Sequence, residues 1–160
     1  MTDLADVKNK FLDVLKGDSE LASLLGKDKK GQVPVYLGWQ QSQKVHLPSV
    51  SIIDVADVGE VSGLGDLFAG GKRYEWYYAT IQVDVWAGDT DVRDQISAQI
   101  KKTVLKNSVD FEQAGMMVSP PSVTPVDEVE ANPPIFRHSL RYPIWYLSLI
   151  HISEPTRQAE

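Results

Sequence analysis

The sequence predicts an α+β fold: an antiparallel or mixed sheet of about four to five strands, with a long hairpin arm and two main helices packed on one face. Three observations predict it. Residues 74–86 alternate aromatic, β-branched and polar side chains with the period of two that marks a strand. Residues 92–104 then place Val92, Ile96, Ile100 and Val104 four apart, on one side of a helix. Between them, Ala-Gly-Asp-Thr-Asp is a turn short enough to fold that helix back onto the sheet.

From the N-terminus, Leu4, Val7, Phe11, Val14 and Leu15 form a helical stripe within residues 3–16, and Gly17 stops it. Residues 19–25 predict a short second helix before Gly26. Residues 33–39 predict a short strand that Pro34 restricts to a sheet edge or a strand start. Residues 48–58 predict another strand, with Val50, Ile52, Ala56 and Val58 alternating and Asp54 interrupting the apolar series. The glycine-rich residues 59–71 join it to the aromatic strand, which makes the pair a long antiparallel hairpin.

On the aromatic strand Tyr77, Ala79, Ile81, Val83 and Val85 share one face, and Trp76, Tyr78, Thr80, Gln82, Asp84 and Trp86 share the other. Asp89, Thr90 or Asp91 can cap the following helix, and Lys101, Lys102 and Lys106 suit the negative end of its dipole. Residues 107–115 lead out of it. Residues 116–134 hold five prolines and predict an irregular connection with one short edge strand. The last clear strand spans 135–146, with Phe136, His138, Leu140, Tyr142, Ile144 and Tyr146 on one face and Arg137, Ser139, Arg141 and Trp145 on the other. Residues 147–160 resemble, residue for residue, the translation of a transposase-type sequencing-library adapter. The expected division is therefore a single domain over 1–146 and a non-native extension over 147–160, with no functional weight on His151, Glu154 or Arg157. The plainer alternative is that Leu147, Leu149 and His151 simply prolong the last strand.

Composition narrows the function classes. At 160 residues with 42% hydrophobic and 24% charged residues, the chain suits one ordinary globular domain. Its net charge of −6 argues against a general nucleic-acid binder, and the lack of cysteine excludes disulfides and sulfur-ligated zinc. The sequence has neither the basic-then-apolar start of a signal peptide nor an apolar run of about 20 residues, so no membrane role is expected.

Candidate chemistry is sparse. His46, His138 and His151 have no partners at metal-ligand spacing, so neither metal nor cofactor is expected. Ser62 lacks the flanking glycines of a nucleophile elbow. The Gly63 to Gly71 glycines lead into a strand, whereas a phosphate loop leads into a helix. The expectation is a protein that is not an enzyme.

The remaining signals concern surfaces. Leu64, Leu67 and Phe68 are apolar groups at the hairpin tip; they either fold back on the sheet or meet a neighbouring subunit. The same arm carries Asp54, Asp57, Glu60 and Asp66 with no Lys or Arg between Val45 and Gly71. Trp76, Tyr78 and Trp86 are candidate interface aromatics. A base-stacking platform of the RNA-recognition kind is the alternative, but it wants a basic surround that Gly71-Lys72-Arg73-Tyr74 hardly supplies. Arg137 and Arg141 either pair with acids across an interface or form a solvated strand face.

The order helix, strand, long hairpin, helix, final strand resembles the tail-terminator, or tail-completion, proteins of long-tailed phages and related viruses. The echoes are residues 47–52 (Leu-Pro-Ser-Val-Ser-Ile), 81–87 (Ile-Gln-Val-Asp-Val-Trp-Ala), the helix to Leu105, and 136–142 (Phe-Arg-His-Ser-Leu-Arg-Tyr). The resemblance implies a structural virion protein at the head–tail junction, made in the host cytoplasm during assembly. It implies a homo-oligomeric ring of six copies that caps the tail tube, with the tube protein and a neck or connector protein as partners and DNA only as passing cargo. On that expectation the acidic arm lines the lumen, and Leu64, Leu67, Phe68, Trp76, Tyr78, Trp86, Arg137 and Arg141 contact a subunit or the tube. Another neck or head-completion adaptor is the nearer alternative, and an RNA-recognition-like nucleic-acid module the more distant one.

Overall fold

The computed structural model describes residues 4–38, 46–60, 67–69, 72–128, 130 and 134–151. Of the expected surface groups, Leu64 and Asp66 lie outside these residues. The fold is mixed α+β. Helices α1 (Leu4–Lys16) and α2 (Ser19–Leu25) precede the strands β1 (Val35–Leu37), β2 (Ser49–Glu60), β3 (Leu67–Ala69) and β4 (Lys72–Ala87). Helices α3 (Thr90–Lys106) and α4 (Ser108–Gln113) follow, then β5 (Met116–Val118), β6 (Ser122–Glu128) and β7 (Ile135–His151).

The sheet order is β1-β2-β4-β7-β5, with β3 also on β4 and β6 also on β7. Among the described strands only the β1–β2 pair is parallel. β5 and β6 run along the same edge of β7 in succession, against 144–146 and 135–141, so the seven strands occupy five positions across the sheet. No helix among the described residues is long and apolar enough to cross a membrane.

The helices form where the sequence places an apolar stripe and a cap. Val7, Phe11 and Leu15 of α1 are buried one turn apart. Asp18 caps α2 by accepting the Leu21 amide at 3.0 Å, and its same oxygen accepts Gln99 Nε2 and Thr103 Oγ1 from α3, both at 3.0 Å. One carboxylate thus caps one helix and ties it to another. Asp89 caps α3 through the Asp91 amide at 2.7 Å. Ile96, Ile100 and Val104 then pack with Val83, Val85 and Leu140 in the core, while Val92 is only partly buried. The Phe11 ring lies tilted against Phe111 of α4, 5.0 Å between centroids, and against Tyr142 of β7 at 5.5 Å.

Three expectations change. First, β2 does not alternate from end to end. Asp54 lies opposite Ile81 but Ala56 opposite Thr80, so Val55 is a bulge, 44% exposed. The extra residue shifts register by one, so Val50 and Ile52 are core residues while Ala56 and Val58 take the opposite parity. Second, residues 107–115 contain α4 and residues 116–134 contain two strands instead of one. Pro125 fits in β6 because that strand is a sheet edge. Third, the last strand does not end near Tyr146. Its backbone pairs on through Leu147↔Trp76 to His151↔Lys72, as the plainer reading of Leu147, Leu149 and His151 has it. Residues 152–160 lie outside the described residues.

The layers differ in length. The 16 residues of β4 span about 50 Å at about 3.3 Å each, whereas the 17 residues of α3 span about 25 Å at 1.5 Å each. Among the β4 residues whose burial is described, Trp76 to Ala87, burial is continuous from Ile81 to Ala87, and Ala79 is the fully buried position furthest toward the arm. The three-stranded β2–β4–β7 ribbon therefore runs on beyond its helical cover.

Tyr142 tests the core. It is 1% exposed, its hydroxyl has no hydrogen-bond partner, and burial pushes its ionisation well above the ordinary tyrosine range. A buried hydroxyl without a partner costs about 1–3 kcal/mol. Tyr142→Phe removes it with the ring contacts kept, and is expected to raise stability by about 1 kcal/mol in urea denaturation.

Candidate interaction surface

The helices cover one face of the sheet, and the other face divides into a polar half and an aromatic half. The polar half is built from rungs that the register aligns across strands. One rung runs Tyr36, Ser51, Asp84, Ser139, Thr124 over β1, β2, β4, β7 and β6. Asp84 Oδ1 accepts Ser139 Oγ at 2.7 Å and Gln82 Nε2 at 2.8 Å, and Gln82 Oε1 accepts Arg141 Nε at 3.1 Å. Asp84 and Ser51 are wholly buried, and Asp84 Oδ2 has no partner.

Trp86 belongs to this half and not to a free surface. It is 2% exposed, with the Arg137 guanidinium 4.7 Å above its ring. The expectation that Trp86 looks outward is corrected: its register partner Arg137 covers it by a cation–π contact. That same contact engages Arg137, and Arg141 is held on Gln82. Neither arginine is within ion-pair distance of a described carboxylate. Asp54, expected on a lumen-facing arm, is half exposed and pairs with Lys8 of α1 at 3.1 Å.

The aromatic half begins about 26 Å along β4 from Trp86, eight residues at about 3.3 Å each. Here Met117, Trp145, Tyr78 and Val58 occupy one rung across β5, β7, β4 and β2. Tyr78 and Trp145 meet edge to face, 5.1 Å between centroids. Leu147 stands opposite Trp76 on the next rung, and Met117 is 55% exposed. The structure thus joins Trp76 and Tyr78 to three groups not singled out in the sequence: Trp145, Met117 and Leu147. Trp145 had a signal, since period two places it on this face. Met117 had none, because its strand falls in a segment that reads as irregular. Leu67 and Phe68 pair through their backbones with Tyr74 and Arg73, Asp57 stands opposite Ala79, and Glu60 opposite Trp76.

Two other clusters offer chemistry. At the junction of α3 with β6 and β7, Ser97 Oγ and His138 Nδ1 are 2.8 Å apart, and His138 Nε2 is 3.6 Å from Asp94. Arg93 donates to Asp127 at 2.8 Å and to Asp94 at 3.1 Å. This is a serine–histidine–aspartate series in composition only. Ser97 is 3% exposed on the buried side of α3, so its hydroxyl faces no space where an acyl group could sit. The group fastens α3 to β6. A cleft of about 680 Å³ is lined by Asp28, Lys29, Lys30, Gln32, Tyr36, His46 and Leu47. Its carboxylate is committed to its own loop, taking the Lys30 and Gln32 amides at 2.9 and 3.0 Å and the Tyr36 hydroxyl at 2.8 Å. Burial and that carboxylate push Tyr36 up to about 12.

Compared with known proteins, the chain matches no family model, and no curated protein matches it at a significant level. The aromatic half of the bare sheet face is thus identified by its geometry: partly exposed rings and a thioether on a ribbon without helical cover.

His138 gives a pH prediction. Burial, then the Arg93 charge, lower its ionisation below the ordinary value of 6.5, while Asp94 and Asp127 oppose this and Lys101 adds to the lowering. The folded state therefore prefers the neutral ring, so its contribution is present above about pH 6.5 and is lost as pH falls through the lowered value. Thermal midpoints are expected to drop on acidification from pH 7 to 5, and the drop to be smaller in His138→Gln.

Proposed function

We propose that this chain is a structural ring subunit of a phage-type tail, capping the head-proximal end of the tail tube, ending its polymerisation and joining it to the neck. The observation that carries this reading is the unequal length of the two layers. A ribbon of β2, β4 and β7 continues beyond the helices and carries Trp76, Tyr78, Trp145 and Met117 on its bare face. Apolar surface of this kind marks contacts with other proteins. The element order supports the same reading, since it follows the order in which the sequence resembles tail-terminator proteins. A two-layer subunit with helices on one side and bare sheet on the other has unlike sides. Copies of such a subunit that meet head to tail form a ring where the rotation between neighbours closes. The acidic character of the arm suits a lumen through which DNA passes without sticking.

The purified full chain is expected to form a closed ring, six copies by native mass spectrometry, seen as an annulus in negative-stain electron microscopy. Replacing Leu64, Leu67 and Phe68 together by serine is expected to leave the circular dichroism spectrum unchanged and to abolish the ring. A strictly monomeric chain that also fails to associate with tail tubes would overturn the reading.

A further inference from the structure

The cleft of about 680 Å³ lies where β1 and β2 begin, at the far end of the sheet from the aromatic half. Residues 28–32 form one wall, with Tyr36 of β1 beside them and His46 and Leu47 opposite the loop, just before β2. Its volume falls in the range of about 300–1,000 Å³ that small-molecule sites occupy, and holds much more than a lone ion.

The charge around the cleft runs against that of the chain. Residues 26–48 contain four lysines and one aspartate, in a chain of net charge −6. That aspartate, Asp28, is already occupied. Its Oδ1 accepts the Lys30 and Gln32 amides, and its Oδ2 accepts the Tyr36 hydroxyl. These donors, the Gln32 amide foremost and then Tyr36, hold its ionisation below the ordinary carboxylate value, and desolvation opposes them. The side chains left free are rich in donors: the exposed Lys29 and Lys30 ammoniums, the Gln32 amide and the His46 ring. Neither ammonium is within ion-pair distance of a described carboxylate. A cleft lined by one sign of charge concentrates the field and draws in the opposite sign.

The loop is fixed by its own bonds. Asp28 N donates to Gln32 O at 2.8 Å, and Gly31 N donates to Asp28 O at 3.0 Å. Gly31 makes the turn at a φ of 77°, where a side chain would be strained. The Tyr36 hydroxyl then fastens the loop to β1. The backbone of both lysines is thereby held in place, so binding between them has mainly their side chains left to order. Tyr36 and Leu47, both half-buried, supply the apolar part of the wall.

We propose that this cleft binds a small phosphorylated ligand of nucleotide size, with its phosphate between Lys29 and Lys30 and its uncharged body against Tyr36 and Leu47. A phosphate monoester carries about −1.5 to −2 at pH 7, which two ammoniums match and a single carboxylate does not. Lysine meets phosphate as a point charge, so it needs no fixed fork of donors there. The cleft belongs to one chain and stands apart from the aromatic surface, so this inference goes beyond the ring reading and does not depend on it.

Isothermal titration calorimetry of the full chain with adenosine 5′-monophosphate and with phenyl phosphate tests it. At least one of the two is expected to fill one site per chain, at least tenfold more tightly than inorganic phosphate or adenosine. Lys29→Gln/Lys30→Gln alters only exposed side chains. It is expected to keep the thermal midpoint and to weaken that binding at least tenfold, while Lys101→Gln/Lys102→Gln on α3 leaves it unchanged. Equal weakening by both double variants would mean diffuse charge attraction and would overturn the site. Inorganic phosphate or adenosine binding as tightly as the esters would overturn it as well, since one half of the cleft would then do nothing. So would the absence of binding by either ester. A duplex DNA gel shift that Lys29→Gln/Lys30→Gln abolishes, without binding of either ester, would assign the lysines to a nucleic-acid backbone and overturn the small ligand. None of these readouts depends on oligomeric state, so failure of the site and failure of the ring reading are separate results.

Discussion

The pairing of β4 with β7 is the constraint on which the rest of the structure depends. All 16 residues of β4 have a partner on β7, from Lys72↔His151 to Ala87↔Phe136. β2 and β3 attach to β4, β5 and β6 attach to β7, and the core face of the pair supplies the floor for α1 and α3. The register decides which groups meet. It puts Arg137 on Trp86, Ser139 on Asp84, Trp145 on Tyr78, and Tyr146 on Tyr77. A slip of one residue would exchange the two faces of β7, bringing Arg137 and Arg141 into the core and Leu140 and Tyr142 out of it. The burial contrast between those two sets fixes the register.

Much of this was legible because local signals and tertiary needs agree. The stripe Val7, Phe11, Leu15 is helical in pattern and buried in fact, and Asp89 and Gly26 punctuate the chain where helices begin or end, whereas the cap at Asp18 went unread. The α+β class follows from periodicity, and the β2–β4 hairpin from periodicity together with the glycine-rich residues between the two strands. What stayed hidden depends on partners far away in sequence. The bulge at Val55 leaves no local mark, since a valine in an alternating strand looks like any other. α4 has six residues and one buried anchor, Phe111, too few for a period to show. β5 and β6 gain their identity from the edge of β7, and the prolines around them conceal it.

The surface residues divide on the same principle. Trp76 and Tyr78 share a face in any register, and the structure keeps them together. Trp86 shares that face too, yet its exposure depends on Arg137, a residue 51 positions later whose guanidinium covers the ring. Exposure is thus a property of the rung and not of the strand. The same holds for Arg141, which is spent on Gln82, and for Asp54, which is spent on Lys8. Met117, in an unpromising stretch, stands exposed beside Trp145 because β5 happens to end the rung there.

The covered part of the sheet and the ribbon beyond it are thus held by different terms. Tyr77 and Tyr146, stacked 5.5 Å apart at 17°, mark the boundary on the helical face. On one side of them the sheet is covered by α1 and α3, and the buried valines, isoleucines and leucines supply the hydrophobic term, at about 25 cal/mol for each Å² removed from water. On the other side the ribbon continues with paired backbones but without helical cover. A ribbon of that kind is marginal by itself; it persists because β4 and β7 leave the core already aligned. The cost of ordering it is met within the chain itself. A preformed surface loses less conformational entropy on binding than a flexible one.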